Sequence, residues 1–339
     1  MNIEIVTCCN AKLKETGFGS ELACNDVLAA VKLMGHSVLV TVCQSLHDLK
    51  KIVKRNPDFV ILAAKYLPVE GGEDIWFSDF FEQNDLIFSG SGRETLKFDS
   101  DKVLAKVHLE NLGINTARHF TATPGQYKIE DQLPFDFPFF VKPTDAANGN
   151  GIDDKSFVEN FAEYEAKVLA LYLIYGQPVL IEEYLSGREF TVAILKSGSG
   201  KMVISAMELV PPLSSGSLRI LGATVKTLDT EVIKKIDINN IESVKQVAAA
   251  AFLGLGVRGF GRIDVKMDQH SQCYFMEANL VPGMNYGTSY FPKACEIANE
   301  IPFNEVIQLM LEECFERVVA RQAFNKTFKY DVESSSCAV

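Results

Sequence analysis

The sequence predicts a parallel α/β domain over residues 1–95, two α+β domains over 96–186 and 187–324, and a loosely held tail over 325–339. Three patterns indicate this organisation. Strands and helices alternate up to Ile87, which is typical of a parallel sheet with helical crossovers. The middle segment contains one long helix among strands, and hairpins dominate the third segment.

The N-terminal domain is predicted from the spacing of its apolar residues. Short apolar runs indicate strands, and apolar residues that recur every three or four positions indicate helices. Domains of this kind bind ligands at the carboxyl ends of their parallel strands. In chain order the predicted elements are the strand Asn2–Cys8, the helix Glu21–Met34, the strand Ser37–Val42, the helix Ser45–Arg55 and the strand Asp58–Ala64.

The two following segments are predicted in the same way. The middle segment contains the helix Ser100–Leu112, the strand Phe137–Lys142, the helix Lys155–Tyr175 and the strand Pro178–Glu183. The third segment contains the strands Phe190–Leu195, Val203–Leu209, Phe260–Met267 and Cys273–Asn279, a long polar loop after the second strand, and the helices Ile241–Leu253 and Asn304–Arg321.

Composition narrows the class of protein. At 339 residues and 47% apolar content, the chain is long enough for two or three domains with buried cores. Its net charge of −11 disfavours a nucleic-acid partner. No segment resembles a secretion signal or a membrane span, so we expect a cytoplasmic protein without a membrane partner. Its eight cysteines lack metal-ligand spacing, and we expect reduced, mostly buried thiols.

The hairpin formed by the strands Phe260–Met267 and Cys273–Asn279 concentrates reactive side chains on one face. The turn-prone residues between these strands predict antiparallel pairing. A turn centred near His270 and Ser271 places Asp264 opposite Glu277, Arg262 opposite Asn279, Ile263 opposite Ala278 and Val265 opposite Met276. One face of the hairpin is therefore apolar, and the other carries charged and amide groups.

The two facing carboxylates indicate a magnesium site. Side chains directly across such a ladder lie about 5 Å apart at Cβ, so two carboxylates repel each other unless a cation lies between them. Asp264, Glu277 and the amide oxygen of Asn279 are ligands that magnesium prefers. The alternative is a solvated charge network without a metal.

Three segments at this hairpin resemble the D-alanine–D-alanine ligases of the ATP-grasp superfamily: Gly-Arg-Ile-Asp (261–264), Met-Glu-Ala-Asn (276–279) and Pro-Gly-Met (282–284). The resemblance implies an ATP-grasp fold in which two α+β domains sandwich ATP. It also implies two magnesium ions, replaceable by manganese, on Asp264, Glu277 and Asn279. Arg262 and the Gly283 backbone would stabilise a tetrahedral intermediate, and Ser289 would bind the second substrate's carboxylate.

The resemblance also implies a nucleotide site. A lone lysine at a strand end is usually solvated, but Lys142 precedes a small-residue loop, 145–151, whose backbone N–H groups could wrap phosphate. In the family pattern, ATP would contact the lysines Lys102 and Lys142, the loop residues Asn148, Gly149 and Gly151, the hinge residues Glu182, Tyr184 and Leu185, and Glu189.

Three departures from the family pattern concern the substrates. The loop has Asn148-Gly149 where the ligases carry a serine pair, and residues 210–218 lack the Tyr-Lys pair that closes over the second substrate. The N-terminal glutamate that holds the first substrate has no secure counterpart, and Glu21 is a candidate substitute. We expect the loops 145–151 and 209–225 to be lids.

The preferred function is an ATP-dependent ligase that joins a carboxylate to an amino acid through an acyl phosphate. The departures favour a divergent amino-acid ligase in natural-product biosynthesis, similar to the mycosporine amino-acid ligases. Two alternatives stay open: a housekeeping D-alanine–D-alanine ligase and a non-catalytic ATP-binding regulatory module. Partners are expected to be small molecules, and a homodimer is an open possibility.

Overall fold

A computed structural model describes residues 1–8, 17–18, 20–146, 149–214 and 218–336, without the side chains of 238–240 and 325–336. Three main sheets, one in each predicted domain segment, organise these residues. No helix among them is long and apolar enough to cross a membrane.

The N-terminal sheet is parallel, and its central strand is β1. Its strands are β1 (Asn2–Cys8), β2 (Ser37–Cys43) and β3 (Phe59–Leu62), joined by the helices α1 (Glu21–Leu33) and α2 (Leu46–Arg55). Ser20 caps α1 by accepting a hydrogen bond from the Ala23 N–H at 3.1 Å. A small antiparallel ribbon of β4 (Tyr66–Leu67) and β5 (Ile75–Trp76) follows, then the helix α3 (Phe77–Gln83).

The chain beyond the carboxyl ends of β1 and β3 contacts the third segment. Phe18 is fixed there because its N–H donates to the Ala63 carbonyl oxygen at 2.9 Å, and its own carbonyl accepts from the Met284 N–H at 3.0 Å. Lys65 lies close by, in the connection from β3 to β4. The N-terminal sheet thereby presents side chains to the third segment.

The middle segment holds a four-stranded antiparallel sheet covered by one helix. Its strand order is β6-β9-β7-β8. The aromatic side chains of Phe120, Phe139 and Tyr164 pack between the sheet and the helix. The elements are α4 (Arg93–Ser100), α5 (Lys102–Asn111), β6 (His119–Ala122), β7 (Phe139–Pro143), β8 (Phe157–Val158), α6 (Phe161–Tyr175) and β9 (Val179–Glu183), with 3-10 turns at Glu130–Gln132 and Asp154–Ser156.

The third segment holds a five-stranded antiparallel sheet in the order β12-β11-β10-β13-β14. Its core is continuous with that of the N-terminal sheet, since Ile5 and Val192 belong to one buried apolar cluster. The elements are β10 (Glu189–Lys196), β11 (Met202–Val210), α7 (Ala223–Leu228), β12 (Val232–Lys235), α8 (Ile238–Gly254), β13 (Phe260–Met267), β14 (Cys273–Asn279), α9 (Tyr290–Asn299) and α10 (Phe303–Ser336).

Two predicted helices have the wrong bounds. The helix predicted from Lys155 begins at Phe161, because Asp153 caps a 3-10 turn, β8 follows, and the side chain of Asn160 caps the true helix. The helix predicted to end at Arg321 continues to Ser336, so most of the predicted tail is helical. That stretch contains neither glycine nor proline to stop the helix.

Candidate active site

The hairpin of β13 and β14 brings the predicted reactive residues together. Arg262 pairs with Asn279 and Asp264 with Glu277, as predicted. The predicted pairing of Val265 with Met276 is wrong. Val265 lies opposite Phe275, because the ladder shifts by one residue between Asp264 and Val265. Met276 is therefore an extra residue, a β-bulge of the kind often found beside active sites.

Asp264 is the centre of the hydrogen bonds on this face. The Arg262 guanidinium donates to both of its carboxylate oxygens, with Nε–Oδ1 at 3.1 Å and Nη2–Oδ2 at 3.0 Å. The hydroxyl of Thr191, on β10, donates to Oδ1 at 2.6 Å. The Asn279 amide nitrogen donates to Oδ2 at 3.3 Å, and the amide oxygen takes no part in this bond.

The two facing carboxylates differ in their electrostatic surroundings. Burial and the nearby Glu277 raise the pKa of Asp264, against the effect of Arg262. Burial would raise the pKa of Glu277 as well, but Lys102, Lys226 and other cations outweigh it and hold the pKa well below its usual range. The Lys102 Nζ lies 3.5 Å from the Glu277 Oε2. A further positive charge beside Asp264 would offset the free-energy cost of keeping both carboxylates ionised away from water.

The donor set fits a hard divalent cation. Asp264, Glu277 and the Asn279 amide offer oxygen ligands on one strand face, which suits magnesium or manganese. The described part of the chain has no cluster of three or more His, Cys, Asp or Glu side chains of metal-binding type. The third protein ligand at this site would therefore have to be the Asn279 amide oxygen, with water and phosphate completing the shell.

A cavity lies between the middle sheet and the third sheet. Lys142 from β7, Glu182 from β9, and Asp264 and Glu277 from the hairpin share its wall. The predicted hinge residues Tyr184 and Leu185 and the predicted ribose contact Glu189 also line it. Glu189 is held by Lys266, with Nζ–Oε2 at 3.0 Å. Most of the residues predicted to contact ATP thus face one space.

Glu182 is the most enclosed charge of this cavity. Its carboxylate lies 2.7 Å from the Lys106 Nζ and 2.8 Å from the Lys142 Nζ, and its exposed fraction is 1%. Burial opposes its ionisation, but the two lysines prevail and lower its pKa to about 2. Lys106 was missed by the sequence reasoning. Its position one helical turn after Lys102 was a signal for it, since side chains four apart share a helix face.

The predicted phosphate loop is held at both ends by lysines. Lys102 donates to the Ala146 carbonyl oxygen at 2.9 Å, and Lys167, from α6, donates to the Gly151 carbonyl oxygen at 3.0 Å. Gly149 and Gly151 have positive φ angles of 74° and 79°, which favour glycine. The predicted ligand Asn148 lies outside the described residues.

The two predicted lids touch each other. A Cβ added at Gly222 would lie 2.5 Å from the Ile152 carbonyl oxygen, and one added at Gly149 would lie 3.0 Å from the Ala223 nitrogen. The backbone of the loop after Lys142 therefore packs directly against the start of α7. Ile152 and Leu221, beside this contact, line the cavity that also contains Asp264 and Glu277.

A larger cavity of about 430 Å³ adjoins the hairpin on the side of the N-terminal sheet. Arg262, Gly283 and Ser289, the three residues predicted to act in catalysis, all line it. The Ser289 hydroxyl accepts from the Asn285 N–H at 2.9 Å, and a Cβ at Gly283 would lie 2.8 Å from that hydroxyl. The close approach explains the need for glycine there.

The N-terminal contribution to this cavity differs from the prediction. Glu21 is exposed on the first turn of α1 and does not line the cavity; of the described N-terminal residues, Phe18 and Lys65 contribute side chains to it. Lys226, on α7, lines both cavities and was not predicted. Residues 210–218 do lack the expected Tyr-Lys pair, but a lysine from the next helix faces the site.

The fold and this two-cavity site define an ATP-grasp protein. A family model described as "D-ala D-ala ligase C-terminus" matches residues 109–312, and the chain belongs to this family. This confirms the family resemblance and the fold class predicted from the sequence.

Relatives and solved structures agree with this assignment. The D-alanine–D-alanine ligase of Stutzerimonas stutzeri is 29% identical over 252 residues, covering 73% of this chain and 75% of the relative. That of Gloeobacter violaceus is 28% identical over 301 residues, covering 84% and 91%. The fold is similar to that of the Bacillus anthracis D-alanine–D-alanine ligase complexed with ATP, with a TM-score of 0.73, 21% identity, and coverage of 95% of this chain and 99% of that one.

Proposed function

We propose that this protein is an ATP-dependent ligase that joins a carboxylate to the amine of an amino acid through an acyl phosphate. One observation carries the proposal: Lys102 and Lys142 from the middle segment converge on the Asp264–Glu277 pair of the third segment, with Arg262 on the same face. Clustered cations around a partly buried carboxylate pair suit the handling of a polyphosphate.

The residues of the site support distinct roles in such a reaction. Lys102 and Lys142 would neutralise phosphate oxygens during transfer to the substrate carboxylate. Magnesium held by Asp264, Glu277 and Asn279 would supply additional positive charge there. Arg262 and the Gly283 N–H both border the larger cavity, where they would donate to the oxyanion formed when the amine attacks.

The contact between the two proposed lids would help to exclude water from the site. Acyl phosphates hydrolyse readily, so a ligase gains from a closed site during the interval between the two chemical steps. The backbone at Gly222 approaches Ile152 closely, and Ile152 lines the same cavity as Asp264 and Glu277, so the two proposed lids border the proposed nucleotide site. We infer that this closed arrangement protects the intermediate.

The identity of the two substrates distinguishes two candidate functions. The preferred function remains a divergent amino-acid ligase, in the manner of natural-product biosynthesis, because the described N-terminal residues bring Phe18 and Lys65, and no glutamate, to the lining of this cavity. The second candidate is D-alanine–D-alanine ligation, which the names of the relatives favour.

A panel of carboxylate and amine pairs would test both candidates. Purified protein would be incubated with ATP, magnesium and each pair, with phosphate release followed continuously and products identified by mass. The divergent ligase predicts turnover with a pair other than D-alanine alone, whereas rapid formation of the D-alanine dimer would favour the second candidate. ATP binding without phosphate release for any pair would overturn the ligase proposal and favour a regulatory module.

A further inference from the structure

Glu231 is a buried carboxylate in the wall of the larger cavity, in the connection between α7 and β12. Its exposed fraction is 8%. Its Oε1 accepts a hydrogen bond from the Tyr290 hydroxyl. Its Oε2 is buried and has no hydrogen-bond partner among the residues that the structure describes. Such an oxygen is costly in a folded protein unless a ligand or ion completes it.

The other carboxylates of this wall already have cationic partners. The Lys65 Nζ lies 2.9 Å from the Asp99 Oδ1, and the Lys293 Nζ lies 3.8 Å from the Asp229 Oδ1. Within the described ranges, Glu231 forms no ion pair with a lysine, arginine or histidine. A carboxylate oxygen that is buried and lacks a partner is the group most in need of a cation from outside the chain.

We propose that Glu231 binds the ammonium group of an amino-acid substrate. This inference rests on the proposed function, since it names a determinant of the amine-bearing substrate in the same site. The Tyr290 hydroxyl fixes one carboxylate oxygen by donating to it, which leaves the other for the ligand. The Tyr290 ring centroid also lies 5.6 Å from the Arg262 guanidinium carbon, so the ammonium would bind on the Arg262 side of the cavity.

The proposal predicts selection by charge. An amino acid would give Glu231 the cation that it lacks, whereas the corresponding hydroxy acid would leave a buried carboxylate oxygen unpaired. Sites that rely on a buried polar partner discriminate strongly against ligands without it. If Glu231 serves only to hold Tyr290, a substitution should affect both kinds of ligand equally.

The test uses the full chain and measures binding by calorimetry without ATP. The probes are the proteinogenic amino acids in both configurations and, for each one that binds, its hydroxy acid. The Glu231→Gln variant keeps the shape of the side chain and an oxygen that can accept from Tyr290, but it removes the charge. We expect it to lose at least tenfold in affinity for the amino acid and less than twofold for the hydroxy acid.

Two further variants keep the test decisive. Asp229→Asn removes a neighbouring carboxylate that already has a lysine, and it should leave the amino-acid affinity within twofold. Glu231→Asp keeps the charge and should recover part of the lost affinity, which also guards against a folding defect in Glu231→Gln. An equal loss for amino and hydroxy acids, a larger loss in Asp229→Asn, or the absence of amino-acid binding to the unsubstituted protein would each overturn the inference. The binding test uses no ATP, so its result does not depend on ligase turnover. Charge-selective binding by a protein that shows no turnover in the substrate panel would refute the proposed function and leave this inference standing.

Discussion

The Glu182→Gln substitution offers a quantitative test of the buried charges in the cavity between the middle sheet and the third sheet. The change keeps the size of the side chain but leaves Lys106 and Lys142 without their shared counterion. These lysines are 0% and 4% exposed, so solvent cannot compensate for the loss. We expect a marked drop in the free energy of unfolding because two buried cations would then face each other.

The magnitude follows from the pKa of Glu182. A pKa that falls from the ordinary 4.5 to about 2 corresponds to about 3 kcal/mol, because each pH unit is worth about 1.4 kcal/mol. Breaking a buried ion pair by removing one partner typically costs about 3–5 kcal/mol, which agrees with this value. The expected loss for Glu182→Gln at neutral pH is therefore about 3 kcal/mol.

The pH dependence has a definite sign. The pKa of Glu182 is depressed in the folded state, so its contribution to stability is complete above the ordinary pKa of 4.5 and is lost as the pH falls toward about 2. The difference in unfolding free energy between the two proteins should shrink by about 1.4 kcal/mol for each pH unit below 4.5.

Urea unfolding followed by far-ultraviolet circular dichroism would measure this difference, since the single tryptophan, Trp76, reports only on the β4-β5 ribbon. Glu183→Gln is the matched control. The Glu183 carboxylate pairs at 2.8 Å with Arg118, whose side chain is 65% exposed, so its loss should cost less than about 1 kcal/mol. Equal effects of the two substitutions, or a difference that stays constant from pH 7 to pH 3.5, would refute the reasoning.

Three further predictions concern the metal site, the lids and the thiols. Glu277→Ala should reduce magnesium-dependent turnover at least about 100-fold while far-ultraviolet circular dichroism shows a retained fold, and near-normal rates would contradict the metal assignment. In Gly222→Ala, the added methyl would lie 2.5 Å from the Ile152 carbonyl oxygen and should slow turnover and raise phosphate release without product; Gly92→Ala, where the space is open, should do neither. Burial raises the pKa of the Cys43, Cys295 and Cys314 thiols to about 12. Iodoacetamide at pH 8 should therefore label these three cysteines only after unfolding, and mass spectrometry of the peptides would show this.

The hairpin of the metal site could be predicted from the sequence because its two faces differ in polarity. Buried and partly buried residues alternate along β13, and this period of two defines the strand and its bounds. The bulge at Met276 could not be predicted in this way. A bulge changes the pairing of one strand with its neighbour, and alternation along a single strand carries no information about that neighbour.

Buried charges were harder to predict than apolar elements. Lys106 is fully buried, whereas lysine is usually exposed, so composition alone places it on the surface. Its partner Glu182 lies far along the chain on β9, and only the tertiary fold brings the two side chains to within 2.7 Å. The sequence could place Lys102 and Lys142 only through the family resemblance.

The larger cavity was predicted least well because short elements build much of its wall. The helix α7 and the strand β12 span only six and four residues, too few for a clear period in the polar stretch that contains them. Their positions depend on long-range contacts: α7 meets the phosphate loop through Gly222, and β12 pairs with β11. Glu231 lies between them and gains a role only because those contacts bury it beside Tyr290. Under the proposed function, ATP chemistry would be maintained on long strands, while the selection of the amino acid would change through a connection of a few residues.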